Sequence, residues 1–154
     1  LRNKYCPQAK ISVLSNSTFI HRPKIHEALA KVDNNILKLD TINAEYINKV
    51  DRPTQPSYDV NRIIADIKSF NGQAIIQTMF MKGTTEGGYD VDNTTEAFVA
   101  PWLEAIKEIA PREVMIYTID RETPDLHLQK ATHEELDAIR DRVIALGIPC
   151  TASY

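Results

Sequence analysis

Apolar residues along this chain follow two alternating rhythms, short runs of strand length and longer stripes at helical spacing. The runs lie at 11–15, 36–40, 73–81, 114–119 and 148–154, each ending in polar or reactive residues. Between them, Ile25, Ala28, Leu29 and Val32 recur at i, i+3, i+4 and i+7, and Pro23 stands where a first helical turn accepts it. Asp33-Asn34-Asn35 stops that helix. A short helix is predicted over 44–50, and Pro53 and Pro56 then break the chain within 51–57. Ser57 is the expected cap of a second long helix striped by Val60, Ile63, Ile64 and Ile67, which Asn71-Gly72 ends. Phe98, Trp102, Ala105, Ile106 and Ile109 mark the next stripe. An interior proline costs about 3 kcal/mol, so regular helix is predicted to begin near Pro101, with a looser turn ahead of it. Thr132 and Glu135 have capping-box spacing before Leu136, Ile139, Val143 and Leu146, and Gly147 closes that helix. Residues 1–10 read as a helix tail and loop, and 83–93 as a polar, glycine-bearing loop long enough to be functional or mobile.

Five strands alternating with helices predict an α/β fold with a parallel sheet. A complete eight-unit barrel takes about 250 residues, roughly 31 per unit, so 154 residues hold about five units. Five parallel strands do not close a barrel. Of the two remaining arrangements, an open sheet or an incomplete TIM-like barrel with outer helices, the second is favoured. The length and the 43% hydrophobic content suit a single domain over 1–154 with one core. A net charge of −3 gives no sign of a nucleic-acid or anionic-membrane surface. No apolar run reaches the roughly 18 residues of a membrane span, and the N-terminus lacks the shape of a signal peptide. Cys6 and Cys150, at opposite ends, form neither a disulfide framework nor a metal motif, so a reduced cytoplasmic setting with inert thiols is expected. The chain starts at Leu1 rather than Met and is expected to be a piece of a longer protein.

In either arrangement, ligands bind at the carboxyl ends of the strands. The residues there are Ser15, Asn16 and Ser17; Lys38, Asp40 and Thr41; Gln77, Met79, Met81 and Lys82; and Tyr117, Thr118 and Asp120. Hydroxyls, amides, a carboxylate and an ammonium beside methionines suit a zwitterionic, sugar-bearing ligand. In an extended strand Lys38 and Asp40 share a face, where charge is costly unless it pairs or meets a ligand. An internal ion pair and a ligand site fit that spacing equally. His21 with His26, or His127 with His133, matches no zinc motif and suits surface or capping roles. Gly83, Gly87 and Gly88 make no phosphate-binding pattern, and Trp102 belongs to a core stripe.

The order of segments resembles the later part of the partial (β/α)6 barrel of the radical SAM superfamily. The match is to the group of glycyl-radical-activating enzymes and related iron–sulfur oxidoreductases. Ile11 to Ser17 is similar to the family's third strand, which closes on Thr-Asn-Gly; here Ser15-Asn16-Ser17 keeps the Asn and replaces its neighbours. Leu37-Lys38-Leu39-Asp40-Thr41 resembles the fourth strand, whose polar residues touch the methionine or ribose part of S-adenosylmethionine (SAM). Asp51-Arg52-Pro53 and Met79-Phe80-Met81-Lys82-Gly83 are similar to the family's Asn-Arg-Pro and Val-Lys-Gly turns. Val114-Met115-Ile116-Tyr117-Thr118 resembles the strand along the adenine.

The resemblance covers nearly the whole chain and implies a parent enzyme that reduces SAM at a [4Fe-4S] cluster and forms a 5′-deoxyadenosyl radical. It implies Asp40 as a SAM contact with Lys38 beside it. Ser15, Asn16 and Gln77 would line the pocket, with Tyr117 and Thr118 near the adenine. The C-x-x-x-C-x-x-C loop and the glycine-rich strand that holds the SAM amine are absent here. Three thiolates are needed for such a cluster, so this chain alone is expected to be inactive. The substrate, protein or small molecule, is not legible. Two other readings stand beside this one: an α/β-barrel Schiff-base lyase using Lys38, and a non-catalytic binding module. The open edge at 11–15 predicts self-association of the isolated chain.

Overall fold

The computed structural model describes residues 1–54, 58–121, 123 and 125–154. A short helix α1 (Arg2–Tyr5) precedes β1 (Ser12–Ser15), α2 (Pro23–Leu29) and β2 (Asn34–Lys38). A single turn, α3 (Ala44–Tyr46), runs into a π-helical turn, Ile47–Asp51, before α4 (Val60–Lys68) and β3 (Ala74–Met79). Then come β4 (Met81–Gly83), α5 (Glu96–Ile109), β5 (Glu113–Tyr117), β6 (Leu128–Lys130), α6 (His133–Ala145) and β7 (Cys150–Ser153).

The main sheet is parallel throughout, in the order β1-β2-β3-β5-β7. That order never reverses. Right-handed crossovers between successive neighbours therefore deliver their helices to the same side. Burial follows: Leu37, Ile76, Val114 and Ile116 form one core with Ile63 and Ile67 of α4, Trp102 and Ile106 of α5, and Leu136 and Val143 of α6. On the opposite face Lys38, Gln77, Met115 and Tyr117 are only half-buried. A parallel sheet ordinarily has both faces covered. This one is helix-covered on one side only, as a stretch of barrel wall is. The incomplete TIM-like barrel is the observed architecture.

Several sequence-based expectations need correction. β2 starts at Asn34 and ends at Lys38, so Asp40 lies past the strand rather than within it. Helix α5 starts at Glu96 with Pro101 inside it. Burial of Val99, Trp102, Leu103, Ile106 and Ile109 outweighs the lost turn of regular bonding there. Residues 73–81 divide at Phe80: Met81 leaves β3 for β4, which pairs antiparallel with β6 in a two-stranded sheet the periodicity did not reveal. The stripes are also trimmed, since Ala28 is exposed and Leu146 becomes the exposed C-cap of α6. Asp59, whose carboxylate accepts from the Asn61 N–H, caps α4; Ser57, together with Pro56, lies outside the described residues. The capping box of Thr132 and Glu135 and the Val60–Ile67 stripe stand as read.

Candidate functional site

Lys38 ends β2 on the face away from the helices, and register brings Gln77 of β3 alongside it. Two strands along, Tyr117 closes β5 on the same face, and the Lys38 Nζ donates to its hydroxyl at 3.1 Å. Asp40 follows one alternation after Lys38, and its Oδ2 lies 3.2 Å from the same ammonium. Its Oδ1 accepts from the Met79 N–H at 2.7 Å. Three strand ends are thereby tied together by one ammonium and one carboxylate. Burial opposes the Lys38 charge, but Asp40 and the Tyr117 hydroxyl outweigh it and hold the ammonium above its ordinary range. Burial also raises the Asp40 carboxyl, against the pull of Lys38 and the Met79 N–H. The pair is half-buried, and an ion pair so placed adds little net stability by itself.

The pair forms the floor of a cavity of about 310 Å³ whose rim is drawn from Asn16, Phe19, Thr41, Asp51 and Tyr58. That is the small end of the usual ligand-site range of about 300–1,000 Å³. Asp51 ends the π-helical turn, and desolvation followed by the nearby Asp40 charge pushes its carboxyl up to about 6. Its open surface lets water moderate that shift. The Tyr58 phenol is raised to about 12 by burial and by Asp51 and Asp40. The chain thus places two carboxyls of unlike environment over one ammonium.

Of the residues singled out from sequence, Asn16, Lys38, Asp40 and Thr41 line this cavity. Gln77 and Tyr117 flank it on the uncovered face through the strand register. Ser15 points to the helix side in register with Leu37, and its hydroxyl accepts from the Ser17 N–H. Thr118 is buried and its hydroxyl accepts from the Ala131 N–H at 2.8 Å, which anchors the start of the last helical unit. Thr41 accepts from the Asn43 N–H, and Lys82 pairs with Glu135 of α6 at 2.8 Å.

Tyr58 and Asn93 carry no signal in the sequence reading, and Asp51 enters it only as the first residue of the Asp51-Arg52-Pro53 turn, not as a cavity residue. Asn93 is buried, donates to the Met79 carbonyl and accepts from the Met81 N–H, splicing β3 to the loop that returns from β4. Its isolated position in a polar loop gives no sequence signal. Asp51 could have been found as the acid closing a turn between two prolines and a strand end.

The remaining candidates have structural partners. His26 stacks on Phe70 and bonds Ser69, His133 stacks on Tyr154, and the Trp102 indole donates to the Leu39 carbonyl. A cluster would need several thiolates in one place, but Cys6 precedes one edge strand and Cys150 lies on the other. Burial raises the Cys150 thiol to about 12, keeping it protonated. The residues present do not fit an iron–sulfur cluster. Among the described residues no group of three or more His, Cys, Asp or Glu is placed to hold a metal ion. No helix there is long and apolar enough to cross a membrane.

No sequence-family profile matches the chain. Two curated proteins of Helicobacter pylori, both named UPF0026 protein, match over 116 residues at 30% and 29% identity. These alignments take in 73% of this chain, which spans about a third, 34%, of either relative's length. Among solved structures, a radical SAM methyltransferase from Sphaerobacter thermophilus superposes with a TM-score of 0.67 at 17% identity. That match covers 94% of this chain and 40% of the methyltransferase. A domain of a pyruvate-formate lyase-activating enzyme from Bacteroides vulgatus gives 0.64 at 13% identity, covering 94% of this chain and 82% of that domain. Streptococcus suis SuiB bound to S-adenosylmethionine gives 0.66 at 13% identity, covering 94% and 33%. These likenesses show a shared fold.

Proposed function

We propose that this chain is the later part of a radical SAM barrel and contributes the strand-end half of a SAM site, centred on Lys38 and Asp40. The observation that carries this reading is the Lys38–Asp40–Tyr117 network, set at the carboxyl ends of strands wound as they are in radical SAM enzymes. An ammonium has three donors. Two are directed at Tyr117 and Asp40, which leaves one for a ligand carboxylate. Asp40 has lone pairs beyond those taken by Met79 and Lys38 and would accept from an amine or from ribose hydroxyls. Asn16 and Gln77 add amide donors and acceptors at the margin, and Tyr117 offers a ring beside the adenine. Asp51, protonated more readily than an ordinary acid, would sit at the rim as a proton-bearing group.

When bound, SAM would supply an alkyl sulfonium whose carbon–sulfur bond breaks on one-electron reduction. The residues of this chain would orient it and exclude water; the reducing centre would reside on chain outside this segment. A soluble, cytoplasmic parent oxidoreductase or radical-activating enzyme fits this reading, with a protein or small-molecule substrate. A Schiff-base role for Lys38 fits less well. That chemistry needs an amine of lowered pKa, and here Asp40 and Tyr117 hold the ammonium charged.

Calorimetry with SAM on the intact parent protein tests the proposal. Asp40→Asn is expected to weaken binding by about tenfold or more, a loss of about 1.4 kcal/mol or above. Lys38→Met is expected to act in the same direction. Unchanged affinity in a folded Asp40→Asn variant would leave the pair a structural one and end this reading.

A further inference from the structure

A second cavity, of about 470 Å³, lies between the π-helical turn and the loop that follows β4. Lys49 and Arg52 line it from the turn, Glu86 from the loop, and Asp125 beside them. A small core joins the two walls beneath: Tyr46, Met81 and Val91 are buried there, and Val50 and Tyr89 pack on them. The loop is held in shape. The Thr85 N–H donates to the Tyr89 carbonyl, the Gly88 N–H to the Thr85 carbonyl, and the Glu86 N–H to the Asp125 carboxylate at 2.6 Å. Two cations and two carboxylates thus share one cavity, and among the described residues none of the four enters an ion pair. Arg52 Nε donates to the Lys49 carbonyl at 3.0 Å, and its terminal nitrogens have no partner among the described residues. The Lys49 ammonium stands 6.0 Å from the centre of the half-buried Tyr89 ring. The Asp125 carboxylate is engaged by the Glu86 and His127 N–H groups, whereas the exposed Glu86 carboxylate takes no donor among the described residues. Arg52 also holds φ at +46°, and both π-turns and left-handed backbone of this kind gather at binding sites.

We propose that this cavity binds a small zwitterion of the amino-acid type, its carboxylate on Arg52 and Lys49, its ammonium on Glu86 and its apolar body against the Tyr89 ring. A guanidinium takes a carboxylate through two parallel bonds, which the terminal nitrogens of Arg52 are placed to supply. Glu86 and Asp125 oppose a phosphate dianion, and Lys49 and Arg52 oppose a simple amine, so a ligand bearing both signs is the complementary one. The site is independent of the SAM reading, because no residue lines both cavities.

Saturation-transfer NMR on the intact parent protein tests this with three matched probes: phenylalanine, 3-phenylpropanoate, which lacks the amine, and phenethylamine, which lacks the carboxylate. Phenylalanine is expected to bind saturably and about tenfold more tightly than either of the others. Arg52→Gln is expected to weaken phenylalanine by about tenfold and to leave phenethylamine unchanged. Glu86→Gln is expected to weaken phenylalanine and to leave 3-phenylpropanoate unchanged. Asp40→Asn is expected to leave all three titrations as they were. No saturable binding of phenylalanine up to about 10 mM would overturn the proposal, as would 3-phenylpropanoate binding as tightly as phenylalanine. A loss in Asp40→Asn with none in Arg52→Gln would put the probe in the first cavity and overturn it as well. Lys49→Gln, with the same expected direction, takes the place of Arg52→Gln if that variant fails to fold.

Discussion

Ser17 stands where the resembling family has glycine, and the structure shows what that exchange costs. Its φ is +66°, a left-handed conformation that costs an L-residue about 1–2 kcal/mol. The fully buried hydroxyl answers by donating to the Lys38 carbonyl at 2.9 Å, which fastens the β1 turn to the site strand. Ser17→Ala keeps the strain and loses the bond, so urea unfolding should show a loss of about 1–3 kcal/mol. Ser17→Gly loses the bond but relieves the strain and should stay within about 1 kcal/mol of the wild type. A second residue-scale outcome concerns Asp51. Its carboxyl is raised to about 6 in the fold, against about 3.9 in an unfolded chain. Between those values the folded state holds more protons, so this group's contribution to stability falls as pH rises through that window. Asp51→Asn should therefore be the more stable protein at pH 7.5, with the difference fading below about pH 4. Melting curves across that range check the sign.

At the scale of elements, periodicity was legible wherever one face alone decides burial. The α4 stripe and the Thr132 capping box needed nothing beyond spacing and cap chemistry. The α5 start was misplaced because a local rule about proline was set against burial distributed over two further turns. Pro101→Ala should accordingly stabilise α5 in denaturant titrations by about 1–2 kcal/mol. That is less than the roughly 3 kcal/mol of an isolated helix, because the proline ring also packs and stiffens the unfolded chain. The β4–β6 pair was illegible for another reason: three-residue strands carry almost no alternation, and their pairing spans some fifty residues of chain. Gly83 is its one local mark. With φ at +97°, an added Cβ would fall on the His127 carbonyl oxygen, so Gly83→Ala should undo this ribbon. The expected readout is loss of amide protection at Gln129 with the main sheet intact.

For the molecule as a whole, the alternation of strand and helix was legible, and with it a row of polar residues at the carboxyl ends of the strands. Which polar residues meet was less legible. Lys38 and Asp40 follow from alternation, but their junction with Tyr117 depends on two registers, and Asp51 arrives by way of a π-turn. Among the described residues neither margin of the main sheet has a strand partner, and Leu14 on one of those edge strands is 58% exposed. Such edges recruit partners. Light scattering of the isolated chain should show dimers or larger species growing with concentration, and a monomer at all micromolar concentrations would contradict this. The unreversed strand order carries a different implication for how such a protein can grow. Each strand touches only its immediate predecessor and successor in the series, so neither margin is locked by a segment threaded between distant parts. Units can be added at either side without rearranging those already there. The segment therefore behaves as a course of masonry laid in one direction, with its architecture indifferent to how many courses complete the wall.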